Sequence, residues 1–235
     1  MTAEPVKAGS AVFQEEILEI IVVRKRIKNI YLRITRDRQV ILTAPLRMPD
    51  KAIREFAEKK RDWIEKALEK TPLPVRYTYV SGEKHFVFGK EFVLHVYGCS
   101  RNGGALRKDS VEMYVHSEVT NREKLYKELA RTWLLPVLKE MISYWSPVMK
   151  VKPGKITIRV MKSRWGSCNI RTHDISFSLD LFTKPESCIE SVVVHELNHL
   201  LEPGHGPRFH ALMAHWLPDY KDRKKELERF PKEFM

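Results

Sequence analysis

The stretch HELNHLLEPGH at 195–205 constrains this chain more than any other. Val192, Val193 and Val194 run straight into it, so the segment starts as a buried helix. Polar side chains carried inward by such a helix need partners, and a cation suits two histidines. Residues four apart share a helix face, so His195 and His199 can aim their imidazoles at one point. Glu196 lies about 100° around the helix, able to address a water there without ligating. This is the mechanical content of H-E-x-x-H: two neutral nitrogen ligands and a carboxylate base.

A catalytic zinc usually takes three protein ligands and keeps one position open. The third is expected from EPGHGP at 202–207. Pro203 breaks the helix, and Gly204 permits a reversal that swings His205 back beside the pair. Glu202 is the rival, three residues after His199 and nearer the helix end. Pro207 suits the first turn of a following helix, PRFHALMAHW. Zinc fits imidazole best, although another divalent transition metal can occupy such a set, since affinity alone does not select zinc.

The remaining patterns read as an α+β fold, with a β-rich N-terminal half and a mainly helical C-terminal half beside a small sheet. Residues 1–14 read as a flexible tail, 15–118 as a β-rich subdomain with one helix, and 119–235 as the metal-binding catalytic subdomain. EILEIIVVRK, IYLRIT and QVILTA are strands by their β-branched content. Asp50 is expected to cap one helix over DKAIREFAEKKRDWIEKALEK, which TPLP at 71–74 stops. HFVFGKEFVLHVYG reads as a hairpin turning near Gly89, GCSRNGGALRKDS as a loop, and SVEMYVHS as a strand. Asn121 opens a long helical pattern, expected to kink or break at Pro136. The order after it is strand KITIRVM, loop KSRWGSC, strand DISFSLDLF and the motif helix. No internal repeat is visible.

A formal charge of +12 in 235 residues asks which partners the surface favours. Part of the excess lies in VRKRIKNIYLRITRDR at 23–38, where Asp37 is the only acid. Nucleic acid or another polyanion is one reading, a cationic solvent face the simpler one. No P-loop occurs, and no apolar run approaches the ~20 residues that span a bilayer. Cys99, Cys168 and Cys188 form an odd set without a CxxC pair, which suits free thiols and a cytoplasmic location.

RVMKSRWGSCN at 159–169 and VVVHELNHLLEPGHGPRF at 192–209, at their separation, resemble the YgjP-like metallopeptidase-domain family, relatives of the SprT-like and WLM zinc peptidases. The resemblance extends loosely over residues 23–225. It implies a zincin-like C-terminal half, with His195, His199 and His205 as ligands and Glu196 as base, in agreement with the spacing argument. Members commonly carry cysteine at the position of Asn198 and tryptophan at that of His210. His210 can therefore pack locally or approach the site as a fourth ligand or an acid. Arg164 can bind an anionic group or orient a ligand, Ser167 can hydrogen-bond near the metal, and Arg208 adds charge. Trp165 is expected to pack under the helix and Gly166 to make a tight turn. Cys168 is expected to be a buried structural thiol.

The leading functional expectation is a zinc-dependent hydrolase of metallopeptidase type, using a metal-activated water, with Glu196 as general base and a peptide or protein as substrate. DISFSLDLF can pair with an extended peptide if it lies at a sheet edge. The alternative is a nucleoside-triphosphate pyrophosphohydrolase, an activity the resemblance leaves open and Lys162, Arg164, Arg171 and Arg208 would suit. A third reading is a non-catalytic polyanion-binding module with structural zinc.

Overall fold

Alternating apolar residues build the first sheet: β1 (Ser10–Glu15), β2 (Leu18–Lys25), β3 (Tyr31–Ile34) and β4 (Val40–Pro45). In the computed structural model, which describes residues 10–15, 18–35, 38–70, 77–229 and 233–234, the strands lie in the order β1-β2-β4-β3. Val22, Leu42 and Ala44 turn to one side of this sheet and pack with Ile53. The expected tail is thus a paired strand over 10–14, because Ser10–Glu15 runs antiparallel to Leu18–Val23. Residues 1–9 and the TPLP stop lie outside the described residues.

The single helix expected after β4 is two, α1 (Asp50–Lys59) and α2 (Arg61–Lys70), separated at Lys60 (φ −106°, ψ 6°). Asp50 does not cap it. Pro49 holds the cap position, and the Asp50 carboxylate instead meets the guanidinium of Arg24. Arg24 also donates to the carbonyls of Pro45 (3.3 Å) and Met48 (2.7 Å), so one basic residue of the 23–38 run ties β2 to the turn before α1.

These elements make up one compact unit, residues 1–75, and residues 76–235 form a second. The second opens with β5 (Lys84–Val87), β6 (Lys90–Gly98), β7 (Gly103–Leu106) and β8 (Ser110–Val115), ordered β5-β6-β8-β7. The β5–β6 hairpin turns at Phe88-Gly89 as expected, both residues with positive φ. The anticipated loop at 98–110 contains β7, which pairs with β8 from Gly103↔Tyr114 to Leu106↔Val111. Its glycines carry no strand preference of their own. A Cβ on Gly104 would lie 2.6 Å from the Glu112 carbonyl oxygen, so only glycine allows that approach. Both four-stranded sheets share one topology, an inner parallel pair flanked by antiparallel outer strands, although no repeat shows in the sequence.

Helix α3 (Arg122–Val148) follows, its first turn capped by Asn121, whose side chain accepts from the Lys124 N–H at 2.9 Å. It runs through Pro136 unbroken. An interior proline costs about 3 kcal/mol. Leu134 and Leu138 on either side are fully buried, and side chains of that size contribute about 1.5–3 kcal/mol each. Burial outweighs the missing bond.

A three-stranded sheet, β9 (Ile156–Arg159), β10 (Gly166–Cys168) and β11 (Ile175–Ser178), takes the order β10-β11-β9. A short 3-10 helix (Leu179–Thr183) leads to α4 (Glu186–Asn198), α5 (Pro207–Trp216) and α6 (Tyr220–Arg229). One apolar cluster runs through the whole unit, from Val111 and Met113 of β8 through Leu134 of α3 to Phe177 of β11 and Val193 of α4. A β-rich half therefore does not separate from a helical half, and a boundary at 118/119 would cut this core. The fold is mixed α/β, with sheet and helices sharing one interior. Among the described residues, no helix is long and apolar enough to cross a membrane.

Two polar clusters are buried with it. The fully buried Asp180 accepts from the backbone N–H of Glu233 (2.5 Å) and Phe234 (2.8 Å), which seats Phe234 against the rings of Tyr126 and Phe182. His85, 1% exposed, stacks on Tyr77 and lies 2.9 Å from the Glu83 carboxylate. Burial lowers the His85 pKa below the ordinary 6.5 despite that carboxylate. A lowered folded-state value means stability that is present above pH 6.5 and lost as pH falls below it. The melting temperature of the native protein is expected to drop more steeply below pH 6.5 than that of His85→Phe in calorimetry. Parallel slopes would remove His85 as the cause.

Candidate metal centre

Helix α4 buries Val193 and Val194 completely and delivers His195 and Glu196 at its C-terminal end. The helix stops earlier than Pro203 requires: Asn198 is its last residue and His199 its C-cap. Turns continue the chain through Leu201, and the reversal to His205 uses no positive φ at Gly204. Pro207 then starts α5 as expected.

The three imidazoles converge. One ring nitrogen from each of His195, His199 and His205 lies within 4.8 Å of the others. His195 Nε2 and His205 Nε2 are 3.1 Å apart. Ligands about 2.0–2.1 Å from a tetrahedral zinc sit about 3.3 Å from each other, so this pair has the spacing the ion needs and the three-imidazole donor set suits it. Phe209, 1% exposed, packs against all three rings at centroid distances of 4.9, 4.8 and 4.8 Å. Nδ1 of His199 lies 3.3 Å from the Glu202 carbonyl oxygen, which leaves Nε2 for the centre. The Glu202 carboxylate turns away to Arg208 at 3.6 Å. Burial, with the charges of His199, His205, Lys224 and His210 behind it, pulls His195 down to about 3. The imidazole is thus neutral, the form that binds metal.

Glu196 is 4% exposed, and its Oε2 has no hydrogen-bond partner. Burial pushes its carboxyl up to about 8, opposed by the charge of Arg164. Gly166 explains how a carboxylate fits there. A Cβ at that position would lie 2.5 Å from Glu196 Oε1 and 2.7 Å from its Cγ. Gly166 is a buried strand residue opening β10, not the tight turn expected from sequence; its missing side chain is the space Glu196 occupies.

A cleft of about 760 Å³ opens over the centre. Arg164, Trp165, Ser167 and Cys168 line one side of it together with His195 and Glu196. Trp165 also packs on the core. Cys168 is half-buried in the cleft wall and not fully interior; burial and Glu196 push its thiol up to about 11, so it stays protonated. His210 lines the cleft and lies 3.1 Å from the Tyr220 hydroxyl. Arg208 is exposed and faces Glu202 instead of the cleft. Asn198, where cysteine is common, is buried and donates to the Phe209 carbonyl at 3.2 Å, joining α4 to α5. Tyr220 and Lys224 also line the cleft, one turn apart on α6, and sequence reasoning missed both. Their only local signal is the i, i+4 spacing in a highly charged helix, which points nowhere until the helix is packed.

Fold and centre together define a mixed α/β protein with a three-histidine metal-binding cluster of the H-E-x-x-H kind. Residues 28–230 match the family profile described as "YgjP-like, metallopeptidase domain", and the chain belongs to that family. No curated protein matches it.

Proposed function

We propose that the chain is a zinc-dependent hydrolase of metallopeptidase type, with His195, His199 and His205 as ligands and Glu196 as general base. The observation that carries this reading is the buried Glu196 carboxylate, its Oε2 without a hydrogen-bond partner, beside three converging imidazoles. A structural zinc would have no use for that carboxylate. When bound, zinc supplies Lewis acidity to water and to the scissile carbonyl. Glu196 takes the proton from the attacking water and returns it to the leaving amine. Phe209 and the Glu202 carbonyl fix the rings.

Strand β11, expected to receive an extended peptide, is the central strand of its sheet and is paired on both sides. The edge beside the centre is β10, so strand addition would occur there. A second reading, hydrolysis of a nucleoside triphosphate to the monophosphate and pyrophosphate, is supported by Arg164 and Lys224 in the cleft. The odd set of free thiols supports a cytoplasmic location.

The purified protein is expected to carry about one transition metal per chain, and His199→Ala to lose most of it. Elemental analysis checks this; equal metal in His195→Ala, His199→Ala and His205→Ala would remove the site. Metal-loaded protein should then be offered denatured protein and nucleoside triphosphates. Proteolysis unaffected by excess triphosphate supports the peptidase, whereas pyrophosphate release without proteolysis overturns it in favour of the second reading.

A further inference from the structure

Hydrolysis of a carbonyl or phosphoryl group builds negative charge on the substrate oxygen, and a fixed hydrogen-bond donor aimed there accelerates it. Glu196 accepts protons and lies on the wall formed by Gly166. Ser191, also in the cleft, already donates to the Cys188 carbonyl at 2.7 Å. Lys224 has a flexible stem and a side chain 68% exposed, and its ammonium lies 3.9 Å from the Glu228 carboxylate. Tyr220 differs. It opens α6 with its N–H bonded to the Leu217 carbonyl at 3.0 Å, and its hydroxyl is 3.1 Å from His210 Nδ1. The two rings lie nearly parallel, 19° apart. His210 follows directly on Phe209, the ring that packs against all three ligand imidazoles, so one anchor sets both the cluster and this pair.

We infer that Tyr220 donates a hydrogen bond to the reacting oxygen of the substrate and that His210 is its positioning residue; this rests on the hydrolytic reading above. With Nδ1–H of His210 donating to the phenol oxygen, the phenol proton is left for the cleft. Tyr220 keeps that proton throughout, while the proton from water travels by Glu196. Base and donor come from different helices, α4 and α6, and do not compete. The donor serves a carbonyl or a phosphoryl oxygen alike, so its assignment does not depend on which substrate class is correct.

The test uses the full chain as native protein, Tyr220→Phe, His210→Phe and His210→Asn, the last keeping an N–H near Nδ1. Zinc-loaded proteins are assayed on fluorescently labelled denatured casein and on nucleoside triphosphates. Cobalt-loaded proteins are titrated with acetohydroxamate and followed by their visible spectra. Tyr220→Phe should keep its metal and melting temperature, lose about 10²-fold in kcat with little change in KM, and bind acetohydroxamate about tenfold more weakly. His210→Phe should follow it, and His210→Asn should recover most of the loss. Native kcat and native acetohydroxamate affinity in a metal-replete Tyr220→Phe overturn the inference and leave the hydrolytic reading standing. Should no probe be hydrolysed even by native protein, that reading fails, and the titration alone still decides the donor: weakened binding supports it, unchanged binding overturns it.

Discussion

Glu196→Gln is expected to retain its metal and its melting temperature while activity falls about 10²–10⁴-fold, the usual contribution of a positioned acid–base group. The substitution preserves size and removes only the ability to take a proton. The carboxylate sits in a space shaped to its outline, since a single added carbon on Gly166 would collide with it. An amide of the same shape fits that space, so folding has no reason to suffer. The imidazoles of His195, His199 and His205 converge without help from Glu196, so metal content should stay near one per chain. Loss of metal in the variant would instead make Glu196 a ligand or a support for one. Full activity on every substrate would place the chemistry elsewhere. Elemental analysis beside the rate measurement separates these outcomes.

The centre was legible because its logic is local. Two histidines four apart on a helix, with a third brought back by a proline-containing turn, need little knowledge of the rest of the chain. What sequence could not give depended on contacts between distant segments. Gly103 and Gly104 carry no strand preference, and β7 exists because β8 supplies its ladder and leaves no room for a side chain. Gly166 allowed the same misreading: glycine marks a turn or a close approach equally well, and only the position of Glu196 decides. DISFSLDLF reads as a strand in isolation, but whether β11 is central or an edge is a property of the sheet. The core continuous from β8 to α4 removes the division expected at 118, because only packing joins those strands and helices into one interior. Tyr220 and Lys224 belong to the same class, residues made functional by where α6 docks.

Gly166→Ala is the sharpest test of that distinction between turn and close approach. If the glycine served only a turn, the cost would be backbone strain. Its backbone is that of an ordinary strand, however, so alanine meets no strain there. The added methyl would instead lie within 2.8 Å of three atoms of Glu196, a side chain only 4% exposed that must shift into the cleft to admit it. Overpacking of this kind costs about 1–3 kcal/mol of stability. Displacing a catalytic group by about 1 Å costs on the order of 10²-fold in rate. Gly166→Ala should therefore bind its metal normally, melt earlier, and lose activity on the order of 10²-fold. The double variant Gly166→Ala/Glu196→Gln should be scarcely slower than Glu196→Gln alone, since a base already removed cannot be misplaced. Multiplying losses in the double variant would show that Gly166 acts on the cleft by some route other than Glu196, and the account of the cradle would fail.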